Sequence, residues 1–276
     1  DDDGNVFVNG MSWITGSSSG FVRKYQQAND GLSVAEKWTT TFEWGVRQIA
    51  VLEDGNVVGI GSAWNEDMRD EAYVFKLDTD GDLVWDSEFG TGRWFNSSKD
   101  RDEVPVTRRP VELWQALRGY SERAIGLAVD AAGNVFITGF AGAVPITARY
   151  GVEMAEPFVA KLTPDGTEEW AVLLEHDWDP AAFGVVLDSN GNVFVVGTTL
   201  MSYGPRSPSG TEVLAWKLSP QGDVLWKDVF GTSGEDVPTE VAAATDGSVY
   251  LTGYQFGELG LSNPAGSDVF LRKYGP

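Results

Sequence analysis

One phrase recurs along this chain and limits what it can fold into. KLSPQGDVLWKDVFG (Lys217 to Gly231) is preceded by KLDTDGDLVWDSEFG (Lys76 to Gly90) and KLTPDGTEEWAVLLE (Lys161 to Glu175). A looser copy is KYQQANDGLSVAEKWTTTFE (Lys24 to Glu43), and a fifth begins at Lys273 and stops in KYGP. Each copy reads as a strand, a tight turn and a second strand. Trp226 and Phe230 lie four apart in that second strand, so they share a face.

A second phrase alternates with the first: DDDGNVFVNG (Asp1 to Gly10), LEDGNVVGIG (Leu52 to Gly61), DAAGNVFITG (Asp130 to Gly139), DSNGNVFVVG (Asp188 to Gly197) and ATDGSVYLTG (Ala244 to Gly253). Its marker glycines, Gly4, Gly55, Gly133, Gly191 and Gly247, are spaced by 51, 78, 58 and 56 residues. A glycine turn followed by alternating apolar residues signals a hairpin. Each period therefore holds four strands, a to d. Strand a is rich in Gly and Ala and suits a crowded axis, while strand d carries Trp and alternates with charge, as a half-exposed outer strand does. Four antiparallel strands per unit at this period predict an all-β fold, a β-propeller of about five four-stranded blades in one domain spanning 1–276. The first blade lacks its a strand and the last lacks its d strand, so either these two meet at the closure seam of a five-blade ring or the sequence is a section of a longer propeller. The chain opens inside a repeat, which reads as a processed or truncated product.

Composition narrows the partners. The 33 glycines, 11 tryptophans and 14 phenylalanines fit many short strands and tight turns. A formal charge of −21 argues against nucleic acid or an anionic membrane surface. With no cysteine there is no disulfide frame or thiolate site. No apolar run reaches the ~18 residues of a membrane span, and no signal peptide is visible.

The phrases AAGNVFITG (Ala131 to Gly139), PFVAKLTPDGTEEW (Pro157 to Trp170) and LWKDVFGTSGED (Leu225 to Asp236) resemble the bacterial SBBP-type β-propeller repeat. The resemblance covers nearly the whole chain outside the insertions. It implies the propeller fold and a bacterial protein that is extracellular, cell-surface or periplasmic. The repeated residues are structural, so it assigns no chemistry. The turn-plus-Trp phrase is also similar to the repeats of quinoprotein dehydrogenases, without a cofactor constellation.

Function is sought where the repeat is interrupted. The a–b and c–d turns are short and uniform. The b–c connections swell at 141–156, 199–212 and 254–268, and one d–a connection holds a 33-residue insertion, 91–123. Antiparallel connectivity puts all four on one face, and loops on a rigid scaffold carry function. Within the insertion, Pro110, VELWQALR and Gly119 describe a short helix from 110 to 118. Its seven basic residues against five acids make it locally +2. It folds back as a lid on the acidic body, or it docks a protein partner through Arg93, Trp94, Arg108, Arg109, Trp114 and Arg118. The tryptophans Trp38, Trp85, Trp170 and Trp226 recur with the repeat and read as packing between blades. Trp13, Trp64 and Trp178 fall in loops outside that register. With Tyr150, Tyr203, Arg206 and Tyr254, they form a candidate ligand site, suited to stacking on sugars.

No catalytic residue stands out. The single histidine, His176, has no nucleophile elbow near it, and acids such as Glu66, Asp67, Asp70, Glu153, Glu156, Asp177 and Asp179 form chance pairs among 41. DTDGD (Asp78 to Asp82) and DDDGN look like calcium-loop fragments but read more simply as hairpin turns; calcium is the one cofactor they leave open. The expected function is a non-catalytic extracytoplasmic module that docks a protein partner or assembly. The alternatives are a glycan-binding propeller or a carbohydrate-active lyase or hydrolase.

Overall fold

The computed structural model describes residues 1, 3–14, 17–27, 33–64, 70–89, 121–142, 156–174, 180–199, 210–232, 234–256 and 267–275. They form five antiparallel sheets in chain order. The first contains β1 (Val6–Ile14), β2 (Ser17–Gln27) and β3 (Val34–Phe42). The second contains β4 (Gly45–Val51), β5 (Val57–Trp64), β6 (Asp70–Leu77) and β7 (Leu83–Phe89). The third holds β8 (Ser121–Val129), β9 (Val135–Gly142), β10 (Glu156–Leu162) and β11 (Glu168–Leu173). The fourth holds β12 (Pro180–Leu187), β13 (Val193–Thr199), β14 (Val213–Leu218) and β15 (Val224–Phe230). The fifth is β16 (Asp236–Ala243), β17 (Val249–Phe256) and β18 (Ser267–Tyr274). The three inner sheets have four strands in the order a–b–c–d; the first lacks a and the last lacks d, as the repeat predicts.

Turn chemistry explains the second phrase. In DAAGN the Gly133 N–H donates to the Asp130 carbonyl at 2.9 Å, and Gly133 takes φ 80°, which glycine alone adopts without strain. The Asp130 carboxylate accepts the N–H groups of Ala132 and Asn134 and the Asn134 amide. Asp188 does the same for Asn190 and Asn192. Asp78 likewise accepts from Asp80 and Asp82 within DTDGD, so its first duty is to shape the turn.

The a strands β4, β8, β12 and β16 touch one another in series and so lie innermost. Small residues are required there: a Cβ on Gly126 of β8 would crowd the Phe183 carbonyl and the Gly184 backbone of β12. Between blades, side chains from facing sheets form four buried clusters. Three of the five c-strand lysines reach back to the a–b turn of their own blade, whereas Lys161 pairs with Glu169 of β11 and Lys76 reaches the Pro164 carbonyl in the next blade. Lys217 pairs with Asp188 at 3.2 Å and lies over the Phe194 ring, while Lys24 and Lys273 pair with Asp1 and Asp246 at longer range.

The recurrent tryptophans fasten each blade to the next. The indole N–H of Trp38 donates to the Thr79 carbonyl at 2.9 Å, that of Trp85 to Pro164 at 3.0 Å, and that of Trp170 to Pro220 at 3.1 Å. Each acceptor belongs to the c–d turn of the following blade, and each ring covers that turn's glycine: Gly81, Gly166 or Gly222. At Gly222 two requirements coincide, since φ is +89° and a Cβ would strike the Trp170 ring. Trp226 stacks instead on Tyr274, with ring centroids 5.2 Å apart.

Two sequence expectations change. Trp13, Trp64 and Tyr254, expected in loops, lie in strands β1, β5 and β17, because the b–c hairpins keep pairing beyond the repeated phrase (Trp13 opposite Ser18, Trp64 opposite Asp70, Tyr254 opposite Val237 and Val269). The insertion expected at 91–123 also ends earlier, since Ser121, Glu122 and Arg123 pair with β9. The helix expected at 110–118 lies outside the described residues.

Candidate functional site

Strand direction separates the two ends of the propeller. The tight a–b and c–d turns close one end. The connections across 65–69, 90–120, 143–155, 175–179, 200–209 and 257–266 all depart from the other. Most sequence-predicted site residues belong to those connections and lie outside the described residues: Arg93, Trp94, Arg108, Arg109, Trp114, Arg118, Tyr150, Trp178, Tyr203 and Arg206, together with His176. Trp13 and Trp64 are placed by their backbone. Tyr254 is described fully; it is half-buried and meets Phe256 edge to face, with centroids 5.5 Å apart.

The register reveals a level that the sequence reading missed. Trp13 and Trp64 each stand nine residues after the marker glycine of their blade, Gly4 or Gly55, and Phe256 stands nine after Gly247. Three blades thus place an aromatic residue at one height, at the loop-side end of the b strand. Phe256 is exposed. Counting from the turn glycine would have found this; assigning Trp13 and Trp64 to loops concealed it.

A buried polar network fastens blades four and five at the same end. The Asp236 N–H donates to the Thr211 hydroxyl at 2.9 Å, and the Thr198 and Thr211 hydroxyls donate to the Asp236 carbonyl at 3.1 Å. Thr199 Oγ1 accepts the Glu212 N–H at 2.8 Å. The Asp236 carboxylate accepts from the Thr232 N–H and hydroxyl and from the Gln255 amide. Burial pushes the Asp236 carboxyl above the usual carboxylate range, although those hydrogen bonds oppose the shift. A raised carboxyl pKa can mark a catalytic acid. Here the group binds the loop at 231–235 to the start of β16, and its acceptor sites are engaged by protein donors. Among the described residues no group of three or more His, Asp or Glu is placed to hold a metal ion.

Asp236→Ala is expected to destabilise the protein by about 1–3 kcal/mol at neutral pH, by stranding the donors of Thr232 and Gln255. The native carboxyl titrates higher when folded than unfolded, so it favours folding most when protonated, and that contribution falls as pH rises through the folded pKa. The deficit of the variant should therefore widen between pH 7 and pH 4, measured by urea denaturation at each pH.

Sheet order, repeat period and blade-to-blade packing define a β-propeller repeat protein. No family model matches the chain. It is 26% identical to an uncharacterized WD repeat-containing protein of Acanthamoeba polyphaga mimivirus, a match that covers 57% of this chain and 14% of that protein. The chain thus spans about a seventh of that relative's length. Among solved structures it is similar to a PL25 ulvan lyase bound to a GlcA–Rha3S unit, at TM-score 0.60 and 8% identity, covering 99% of this chain and 65% of that one. It is also similar to the GH93 α-L-arabinofuranosidase of Fusarium graminearum, at TM-score 0.47 and 12% identity, covering 96% and 79%.

Proposed function

We propose that this chain is a carbohydrate-binding propeller of the SBBP repeat type, working outside the cytoplasm on the face from which the long connections depart. The observation that carries the reading is the aromatic level formed by the positions of Trp13, Trp64 and Phe256. Aromatic faces held at a fixed height around an axis suit successive sugar rings, whose C–H faces stack on them. Tyr254 stands two residues before Phe256, and Tyr150, Trp178, Tyr203 and Arg206 lie in connections that leave this same end. The ulvan lyase, which holds a uronate–sulfated rhamnose unit on a similar fold, supports a carbohydrate as the ligand class.

The test is titration calorimetry with neutral and uronate-containing oligosaccharides, for the native chain and for Trp13→Ala and Trp64→Ala. Each substitution is expected to weaken binding about tenfold or more. Absence of heat across both oligosaccharide classes sinks the reading. Release of an unsaturated uronate product would convert the binding module into a lyase.

A second reading rests on a separate observation, the local +2 charge of 91–123 in a chain of −21. In it, Arg93, Trp94, Arg108, Arg109, Trp114 and Arg118 dock a protein partner. Deleting 94–118 would then abolish capture of that partner while leaving the melting temperature nearly unchanged; a large thermal loss would make the segment a lid.

A further inference from the structure

The innermost strands share an irregularity that the repeated phrases do not show. Each pairs with its b strand along one edge and turns the other edge to the axis. Each also slips register by one residue at the same place. The slip leaves Arg47 of β4, Ile125 of β8, Phe183 of β12 and Thr239 of β16 without a residue opposite. All four stand eight residues before the marker glycine of their blade. A bulge of this kind takes its extra residue out of the ladder and re-aims the side chain, and bulges are over-represented beside functional sites.

The bulges adjoin in series, because the residue after each one meets the next innermost strand. The Gln48 amide donates to the Leu127 carbonyl at 3.3 Å, Gly126 lies against Phe183 and Gly184, and Gly184 lies against Val241. On β8 and β12, which have blades on both sides, the nearby Ala124, Leu127, Ala182 and Val185 are buried, whereas Ile125 and Phe183 are only half-buried. Neighbouring blades cover both sheet faces there, so Ile125 and Phe183 open onto the axis. Arg47 stands at the same level on the adjoining β4.

This level lies below the aromatic one. Arg47 falls between Val46, opposite Gly61, and Gln48, opposite Ile60. Trp64 is three to four residues farther along that same b strand, which is about 10–13 Å toward the loop side. A short oligosaccharide held at the aromatic level can reach down to the bulges.

Charge is divided between the two ends. The tight turns at 1–5, 52–56, 78–82, 130–134, 163–167, 188–192, 219–223 and 244–248 hold 13 acidic residues and no Lys or Arg. The six connections of the other end hold 11 acidic residues and nine basic ones. An anion is therefore repelled from the turn end and meets nearly balanced charge at the loop end. Arg47 already interacts within the protein. Its guanidinium has five N–H donors in a planar fork, enough to hold a carboxylate as well.

We propose that the bulge level is a subsite for a uronate ring, whose C–H face rests on Phe183 and Ile125 while Arg47 takes its carboxylate. The assignment rests on the carbohydrate function proposed above and narrows it to uronate-bearing glycans.

Titration calorimetry with two matched probes tests it: a uronate oligosaccharide, and the same oligosaccharide with its carboxyl groups reduced to primary alcohols. The native chain should bind the first about tenfold or more tightly than the second. Arg47→Gln should abolish that preference, and Phe183→Leu should weaken binding of both probes. Phenylglyoxal modification of Arg47 in the native chain, located by mass spectrometry, should be slowed by the uronate and not by its reduced form. That measurement needs no variant to fold. Equal affinity of the native chain for both probes overturns the acidic subsite and leaves the carbohydrate function standing. A preference that survives Arg47→Gln, or an unchanged rate of Arg47 modification under saturating uronate, does the same. Binding of neither probe overturns both.

Discussion

Replacing Trp170 by alanine is expected to lower the unfolding free energy by about 3–5 kcal/mol, the cost of removing a buried tryptophan that its surroundings cannot refill. The ring lies between blades three and four in the cluster that holds Val159, Val185, Val193 and Leu214. Its far edge covers Gly222, and its N–H reaches the Pro220 carbonyl. For a chain of this size the loss corresponds to a fall in melting temperature on the order of 10 °C. Trp170→Phe separates the two parts, since it keeps most of the apolar contact and removes the donor; it should cost about 1 kcal/mol. Calorimetric scans of both variants check the partition. Equal losses would show that the hydrogen bond, rather than the packing, fastens the blades.

Lys217→Met should destabilise the protein by about 3 kcal/mol at pH 7, because removing one partner of a buried ion pair leaves the other charge uncompensated. Asp188 is fully buried at its carboxylate. Burial alone pushes its carboxyl up, but hydrogen bonds from Asn192, Lys217 and Asn190 together hold it below the usual range. A carboxyl depressed in the folded state contributes stability that is present above its unfolded pKa of about 3.9 and is lost as pH falls through the folded value. Without Lys217 the burial effect gains weight and the charged form becomes the costly one. The difference between native and variant should therefore be largest near neutrality and shrink between pH 7 and pH 3. Its direction is opposite to that expected for Asp236→Ala, so denaturation of both variants at the same set of pH values separates local effects from any global response to acid.

Local chemistry was legible wherever it repeats. The Asp and Gly of the DxxGN phrase announce a turn whose carboxylate accepts its own N–H groups, and the alternation around Val135 and Val193 announces strands. Trp38, Trp85 and Trp170 could be assigned to blade packing because they recur in register; their carbonyl acceptors in the next blade could not, since nothing in a strand names the turn it will meet. The Asp236 network was hidden for a similar reason. Thr198, Thr211, Thr232, Asp236 and Gln255 come from separate segments, and only folding brings them together. Trp44, which stacks on Tyr73 at 5.0 Å, carries no repeat signal at all. At the candidate site the error was one of boundary: Trp13, Trp64 and Tyr254 stood past the recognisable phrase, so the sequence suggested loops where strand pairing continues.

The tryptophan fastenings have a kinetic consequence. Each joins one blade to the next in chain order, so the blades are coupled in series, and among the described residues the first and last sheets have one neighbour where a central sheet has two. Cooperative units linked this way open from the outside inward. Amides of β8 to β15 should exchange most slowly, while those of β1 to β3 and β16 to β18 should exchange early, by fraying rather than by global unfolding.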